Sequence, residues 1–281
     1  TRDVLGFEGL DERAINEAYR GLIGLLRELD PKVEFGLGNS VWAREGYPFH
    51  DDFYDRVRTY FDARVEAVDF GDPATLELIN GWVSDATHGR IDRLLDQIPS
   101  YMVMYLINAV YFNGEWVNGF EPEATTRQPF HRGDGTTVEV DMMAGAAGFR
   151  FVSTQDAVIL DLPYGGGAFT AVAALPMGDG TLNELVGRLD AGVWAEWMAR
   201  LESAELRNAR VLLPKLELEY ERELNQDLIG LGMTHAFDED LADLSRLSPV
   251  DEPPGGPIMD PELYISQVLQ KTYLRVDEEG T

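Results

Sequence analysis

The sequence predicts a protein of the α+β class, because helical and strand periodicities both occur along one chain. Apolar residues repeat at helical spacing between Ile15 and Leu29. Residues 138–142 and 216–221 alternate apolar with acidic side chains, a pattern typical of strands with one buried face. Residues 101–112 are apolar almost throughout, yet they are too few to span a bilayer. The combination favours sheets with surrounding helices.

The first predicted element is an amphipathic surface helix. Charged residues occupy most of the positions outside its apolar stripe, so one face of the helix is expected to pack against the protein. The stripe consists of Ile15, Ala18, Tyr19, Leu22, Leu26 and Leu29.

The apolar segment 101–112 is the best candidate for a central strand. Because almost every side chain in it is apolar, we expect both faces of this strand to be covered. Asn108 is a polar residue within the segment, and its amide needs hydrogen-bond partners if it is buried.

The middle of the chain predicts a hairpin. Apolar runs at 157–162 and 168–175 are joined by Pro163, Tyr164 and three glycines, as in a turn. The glycines lack the lysine and Ser/Thr of a phosphate-binding loop. Further along, residues 248–261 contain five prolines and two glycines and are expected to form a surface loop.

Length and composition favour one large domain over residues 1–281. The chain is 44% hydrophobic, enough for a substantial core, and no segment resembles a linker.

The 50 acidic and 23 basic residues of the chain give a net charge of −27. This field repels phosphate backbones, so nucleic acid is not an expected partner, and low salt is expected to destabilise the fold. Membrane insertion is not expected either.

The sequence contains no recognisable catalytic or metal-binding motif. It has no cysteine and no G-x-S-x-G nucleophile elbow. The histidines are scattered and show none of the spacings that place two imidazoles on one metal. We therefore expect no enzymatic activity, no catalytic residue, no metal and no cofactor. The four histidines are His50, His88, His131 and His235.

Two longer motifs and several short ones carry a family resemblance. The longer ones are NAVYFNGEW, from Asn108 to Trp116, and LRVDEEGT, from Leu274 to Thr281. THGRI, LPY, LPK and LYIS lie in the same order as in that family. Together these motifs resemble the serpins over the whole chain. Arg275 departs from the family pattern, which has glutamate at that position.

The resemblance implies the serpin fold, with a large, mostly antiparallel main sheet, smaller sheets and surrounding helices. Residues 101–112, 211–220 and 263–277 are then expected to lie in that main sheet. Relative to the family, the N-terminal helices, the reactive loop and the C-terminal strands are missing, so residues 1–281 are expected to form an incomplete, single serpin domain of prokaryotic type.

The function implied by the resemblance is suicide inhibition of a serine protease. The protease cleaves a reactive loop, forms an acyl-enzyme, and is trapped when the loop inserts into the main sheet, a loop insertion for which serpins are the known example. A non-inhibitory binding or storage protein on the same scaffold is the alternative. Small residues after Thr281 would favour inhibition, and charged or proline-rich ones the alternative.

The resemblance also assigns candidate site residues. The reactive-loop hinge comprises Glu278, Glu279, Gly280 and Thr281, and the region where the sheet opens comprises Trp116, Asn108, Gln270 and Lys215. Asn108 is expected opposite Gln270, an amide that cannot titrate near neutral pH. Lys215 and Glu278 are expected within ion-pair distance.

The expected partner is a serine protease, held as a covalent acyl complex. Arg13, Arg20 and Arg27 recur every seven residues on the first helix, but glutamates lie among them, so a polyanion site is not expected. An extracellular or periplasmic location is favoured by the family resemblance only.

Overall fold

The computed structural model describes residues 4–178, 180–248 and 263–281, and it confirms the α+β class. The α-helices are α1 (Glu12–Glu28), α2 (Asp51–Phe61), α3 (Pro73–Ala86), α4 (Leu182–Arg188), α5 (Ala191–Glu202) and α6 (Asn225–Gly230). The strands are β1 (Val33–Arg44), β2 (Arg64–Val68), β3 (Met104–Gly114), β4 (Thr126–His131), β5 (Thr137–Ser153), β6 (Ala157–Tyr164), β7 (Phe169–Pro176), β8 (Arg207–Pro214), β9 (Leu216–Glu223) and β10 (Leu269–Val276).

The described residues divide into two compact units. The first lies within Thr1–Arg27, Phe35–Tyr111 and Glu219–Tyr273. The second lies within Glu28–Glu34, Phe112–Leu218 and Leu274–Thr281. The chain therefore contributes to each unit in several separate stretches, and the organisation of residues 1–281 as one domain stays a prediction.

In the first unit, β1 lies between β2 and β3, and it runs parallel to β2. Helix α3 and this sheet share an apolar core in which Trp42 and Ile79 are fully buried. The carboxylate of Asp72 accepts the amide of Ala74 and caps the start of α3, beside Pro73. At the other end, the buried Thr87 hydroxyl donates to the carbonyl of Val83 and accepts the amide of Ile91.

The apolar segment predicted as a central strand does form β3, but β3 is an end strand of the order β2-β1-β3. Ile107 and Ala109 are buried, whereas Leu106 and Val110 on the alternate face are 62% and 56% exposed. The expectation that both faces are covered is therefore wrong among the described residues. Apolar composition shows that a strand can be buried, but it does not supply the element that covers it.

In the second unit, the long strand β5 changes partners along its length. Its first part pairs with β4, its middle with β8, and its last residues with β6, all antiparallel. Strands β6 and β7 form the predicted hairpin through the turn at Gly165, which confirms that interpretation of the glycine cluster. The packed core contains Trp116, Phe120, Met143, Phe149, Leu162, Tyr164 and Val211.

The buried carboxylate of Asp30 fixes the hairpin turn. Its Oδ2 accepts the amide of Gly166 at 2.7 Å, and its Oδ1 accepts the amide of Lys32 at 3.0 Å. The hydrogen bond from Lys32 and those from the turn keep the pKa of Asp30 below its ordinary value against the effect of burial. Gly165 has a φ of +53°, which favours glycine over residues with a side chain.

The prediction that 101–112, 211–220 and 263–277 share one sheet is wrong. Among the described residues, β3 pairs with β1, β8 with β5, and β9 with β10. Lys215 separates β8 from β9: its amide donates to the carbonyl of Asp141 and extends the ladder between β5 and β8. The shared sheet was implied by the family resemblance, and the local patterns could not test it, because strand pairing depends on which strand edges are free.

Two further expectations need correction or limits. The alternation of 216–221 correctly predicts a strand, but nearly all of β9 is exposed, including Leu218 and Tyr220. The apolar stripe of α1 correctly predicts a helix, yet Leu22 and Leu29 are exposed.

Apart from Ser248, the predicted loop at 248–261 lies outside the described residues. No helix within the described residues is long and apolar enough to cross a membrane.

Candidate functional site: the hinge ladder

The predicted hinge, residues 278–281, pairs with the chain where it leaves β3. The amide of Gly114 donates to the carbonyl of Thr281 at 3.0 Å, and the amide of Thr281 donates back at 3.1 Å. The amide of Trp116 donates to the carbonyl of Glu279 at 2.8 Å. Glu115 and Gly280 form an antiparallel bridge. The hinge thus lies beside residues 114–116 as a short antiparallel strand.

The other edge of the same segment pairs with the end of the β6 strand. The amide of Val117 donates to the carbonyl of Pro163 at 2.8 Å, and the amide of Gly165 donates to the carbonyl of Glu115 at 2.9 Å. Residues 114 and 116 therefore bond to the hinge, and residues 115 and 117 to the hairpin, as strand geometry requires. We call residues 114–117, 163–165 and 278–281 the hinge ladder.

Gly280 is buried at the closest point of the hinge ladder. A β-carbon at this position would overlap the carbonyl oxygen of Gly114 and lie 3.0 Å from the α-carbon of Glu115. A contact with backbone atoms cannot be relieved by a side-chain rotation. Glycine is therefore required for this approach, because any side chain would collide with the backbone.

Glu278 is a nearly buried carboxylate with two donors. Its Oε2 lies 2.7 Å from the Nζ of Lys215, and its Oε1 accepts the hydroxyl of Thr125 at 2.7 Å. The predicted ion pair is thus confirmed. The Glu278 side chain is 10% exposed and that of Lys215 is 39% exposed. The pair is therefore half-buried, unlike the exposed surface ion pairs that contribute little to stability.

The two partners shift each other's pKa in opposite directions. The hydrogen bond from Lys215 lowers the pKa of the Glu278 carboxyl, and the hydrogen bond from Thr125 adds to this against the effect of burial. The same hydrogen bond with Glu278 raises the pKa of Lys215. Both groups are consequently charged across the neutral range.

The Trp116 indole joins the two sides of the hinge ladder. It stacks on the Tyr164 ring with centroids 4.4 Å apart, and its Nε1 donates to the carbonyl of Asp277 at 2.9 Å. The hydroxyl of Tyr164 donates to the hydroxyl of Thr281 at 2.7 Å. Trp116 therefore contributes both ring packing and a hydrogen bond to the backbone at the start of the hinge.

Asp277 shapes the turn into the hinge. Its Oδ1 accepts the amides of Glu279 and Gly280 at 3.0 and 3.2 Å, as in an Asx turn. Arg275 is half exposed, and its guanidinium lies 3.0 Å from the other oxygen of Asp277. The departure of Arg275 from the family pattern is thus accommodated by an ion pair at the surface.

Asn108 and Gln270 are not brought together as expected. The exposed amide of Asn108 donates to the side chain of Asn39 at 2.8 Å, and Gln270 is exposed on β10. Strands β3 and β10 are not hydrogen-bonded neighbours among the described residues. Among the described residues, the side-chain hydrogen-bond partner of Asn108 is therefore Asn39 and not Gln270.

Three residues of the hinge ladder or its contacts were not predicted as site residues: Tyr164, Thr125 and Asp277. Tyr164 had a usable signal, because it ends the LPY motif immediately before the glycine turn. Asp277 had a weaker signal, since an aspartate side chain often accepts the backbone amide two residues later in a turn. Thr125 gave none, because its contact with Glu278 spans 153 positions.

Among the described residues, no other surface adds a second site. On α1, Arg13 pairs with Glu17 at 3.2 Å and Arg27 with Asp62 at 3.0 Å. Within residues 4–178, 180–248 and 263–281, no group of three metal-ligating side chains occurs. The expected absence of a polyanion site and the expected absence of a cofactor both remain predictions.

The sequence profile described as "Serpin (serine protease inhibitor)" matches residues 1–281. Human Serpin B11 is 32% identical over 262 residues, which cover 91% of this chain and 64% of that protein. Pig plasminogen activator inhibitor 1 is 34% identical over 279 residues, covering 95% and 65%. This chain therefore spans slightly less than two thirds of the length of these curated relatives.

The fold is also similar to solved structures. The crystal structure of tengpin, a thermophilic serpin in the latent state, superposes with a TM-score of 0.85 at 31% identity. The match covers 99% of this chain and 72% of tengpin.

Proposed function

Because the chain belongs to the serpin family, we propose that the whole protein is a suicide inhibitor that traps a serine protease as its acyl-enzyme. The proposal places a reactive loop after Thr281 and gives residues 278–281 the role of its hinge. Cleavage frees the loop, which then enters the sheet as an added strand. The dragged protease loses the oxyanion-hole and triad geometry that deacylation requires.

The pairing of the hinge with residues 114–116 carries this proposal. A loop that enters a sheet needs an open strand edge and leading residues without bulky side chains. The segment after β3 offers donors and acceptors to Glu279 and Thr281, and Gly280 fits against the Gly114 carbonyl. The hinge therefore already has the direction and register from which an antiparallel strand could be extended.

The energy available to such an insertion is sufficient for trapping. A strand of about a dozen residues forms ladder hydrogen bonds worth about 1 kcal/mol net each, so the total gain is on the order of 10 kcal/mol. This approaches the stability of a whole domain. The name of the pig relative, plasminogen activator inhibitor 1, agrees with an inhibitory rather than enzymatic activity.

The test is to incubate the gene product with trypsin-like, chymotrypsin-like and elastase-like enzymes and to separate the mixture on a denaturing gel. We expect a covalent band with at least one protease. Residues 1–281 alone should form none, because the proposed bait is absent. Cleavage by every protease without a covalent band would favour the non-inhibitory binding or storage protein instead.

A hinge variant sharpens this test. Thr281→Arg places a charged side chain against Tyr164 and should convert the inhibitor into a substrate, which is cleaved without a covalent band. Glu279→Arg is the matched control, because the side chain of Glu279 is exposed and should tolerate a new charge. Equal trapping by both variants would contradict insertion through Thr281.

A further inference from the structure

A hydrogen bond between two hydroxyl groups spans the hinge ladder from one outer strand to the other. It joins Tyr164, on the hairpin side, to Thr281, on the hinge side, and residues 114–117 lie between them. The Tyr164 ring is buried, stacked on Trp116 and edge-on to Phe112. Packing of the ring against Trp116 and Phe112 therefore fixes the direction of its hydroxyl.

We propose that Tyr164 is a positioning residue whose hydroxyl latches Thr281 and so holds the start of the hinge in the ladder. Its importance for trapping rests on the proposed function, since a latched hinge would present the following residues in register with the sheet edge. The latch itself is a claim about the hinge and can be measured without any protease.

The neighbouring contacts explain why a latch is needed at this end of the hinge. Glu278 is already anchored by Lys215 and Thr125. Beyond Glu278, Gly280 has no side chain, and the Tyr164 hydroxyl is the side-chain partner of Thr281. Burial raises the pKa of Tyr164, so its phenol keeps the proton that it donates. Thr281 offers the acceptor, and an aliphatic residue would not.

Hydrogen exchange in the whole gene product tests the latch. Tyr164→Phe keeps the stacked ring and removes only the hydroxyl, so we expect about fivefold faster exchange at the amides of Gly114, Trp116 and Thr281. The amides of Val117 and Gly165 serve as internal controls, because they bond to the hairpin side of the ladder. Their exchange should not change.

A double-mutant cycle identifies the partner. Thr281→Val should produce the same acceleration as Tyr164→Phe, and the double variant should add nothing further. Thr281→Ser, which keeps a hydroxyl, should restore protection. Tyr105→Phe removes a tyrosine hydroxyl from the first unit and should leave the three hinge amides unchanged.

Unchanged hinge exchange in Tyr164→Phe would overturn the proposal. Equal acceleration at Val117 and Gly165 would also overturn it, because that result would show a general loss of packing. If Tyr164→Phe leaves the exchange of the hinge amides unchanged while the protein still forms the covalent complex, only this inference is refuted. A measured latch in a protein that forms no covalent complex refutes the proposed function and leaves the latch standing.

Discussion

At the residue scale, the charge on Glu278 gives the hinge a defined dependence on pH. Because the pKa of Glu278 is lowered in the folded protein, this residue stabilises the fold at pH values above its unfolded pKa of about 4.3. The contribution is lost as the pH falls through the folded pKa. Because the pKa of Lys215 is raised in the folded protein, its contribution is present at pH values below its unfolded pKa of about 10.4. It is lost as the pH rises through the folded pKa. The ion pair is thus fully effective between about pH 5 and 10.

Glu278→Gln is therefore expected to lower the free energy of unfolding by about 1–3 kcal/mol at pH 7, since it removes a charged hydrogen bond to Lys215. Near pH 3, below the unfolded value of about 4.3, the difference from the unchanged protein should shrink, because protonation of this carboxyl in the unfolded state then opposes the native ion pair. Urea unfolding at the two pH values measures both differences. Glu279→Gln neutralises an exposed neighbour and should have little effect at either pH. A difference that does not depend on pH would refute the assignment to the ion pair.

Gly280 gives a second prediction, which depends on shape rather than charge. In Gly280→Ala the new methyl group would overlap the Gly114 carbonyl, so the hinge should leave the ladder. We expect at least tenfold faster amide exchange at Gly114 and Thr281. Gly119→Ala is the control, because its β-carbon would lie 3.4 Å from the Glu278 carbonyl, an ordinary contact. Similar exchange in both variants would show that the close approach at Gly280 is not required.

These residues also show what the sequence could predict about the site. The Lys215 and Glu278 pair was predictable because family topology places both residues near the hinge, and opposite charges in a half-buried position attract. Tyr164 and Thr125 were not predictable as partners of the hinge. Their contacts join positions more than a hundred residues apart, and no local periodicity encodes such a separation.

At the scale of elements, local patterns predicted α1, β3 and the β6–β7 hairpin, because turn chemistry and hydrophobic period act within a few residues. The same patterns did not predict which strands are hydrogen-bonded neighbours. The separation of β8 from β9 at Lys215 depends on a backbone bond to Asp141, which belongs to another strand. The exposed face of β3 likewise depends on what lies beside it.

The hairpin supplies a test of how one carboxylate fixes an element. Asp30→Ala leaves the amides of Lys32 and Gly166 without their acceptor inside the second unit. We expect the melting temperature to fall by about 3–6 °C at pH 7. Because the pKa of Asp30 is lowered in the folded protein, the difference should decrease as pH falls through that value. Scanning calorimetry at pH 7 and pH 3 compares the two conditions.

Asp161→Ala is a suitable control for that change, because it removes an aspartate from the same hairpin without touching the turn. Its carboxylate contacts the side chain of Thr170 across the strands. It should lower the melting temperature less than Asp30→Ala does. A larger effect at Asp161 would mean that the strands, and not the Asp30 contacts, determine the stability of the hairpin.

At the scale of the whole molecule, the dominant physical quantity is the net charge of −27. Ion pairs such as Arg188 with Asp156 and Arg222 with Asp227 offset part of the repulsion locally. The 23 basic residues are nevertheless too few to partner 50 acidic ones. Like charges then repel over the range set by the Debye length, which is about 30 Å at 0.01 M salt and about 10 Å at 0.1 M. Folding concentrates these charges, so low salt should penalise the folded state more than the unfolded one.

We therefore expect the melting temperature of the gene product to rise by several degrees between about 0.01 and 0.2 M sodium chloride, where screening changes steeply and preferential exclusion of salt is still small. A variant with four exposed glutamates changed to glutamine should melt higher at the low-salt end and respond less to added salt. Suitable positions are Glu202, Glu205, Glu219 and Glu239. Convergence of the two melting curves at high salt would identify screened repulsion as the cause. A constant offset at every salt concentration would instead point to the local effects of the four substitutions.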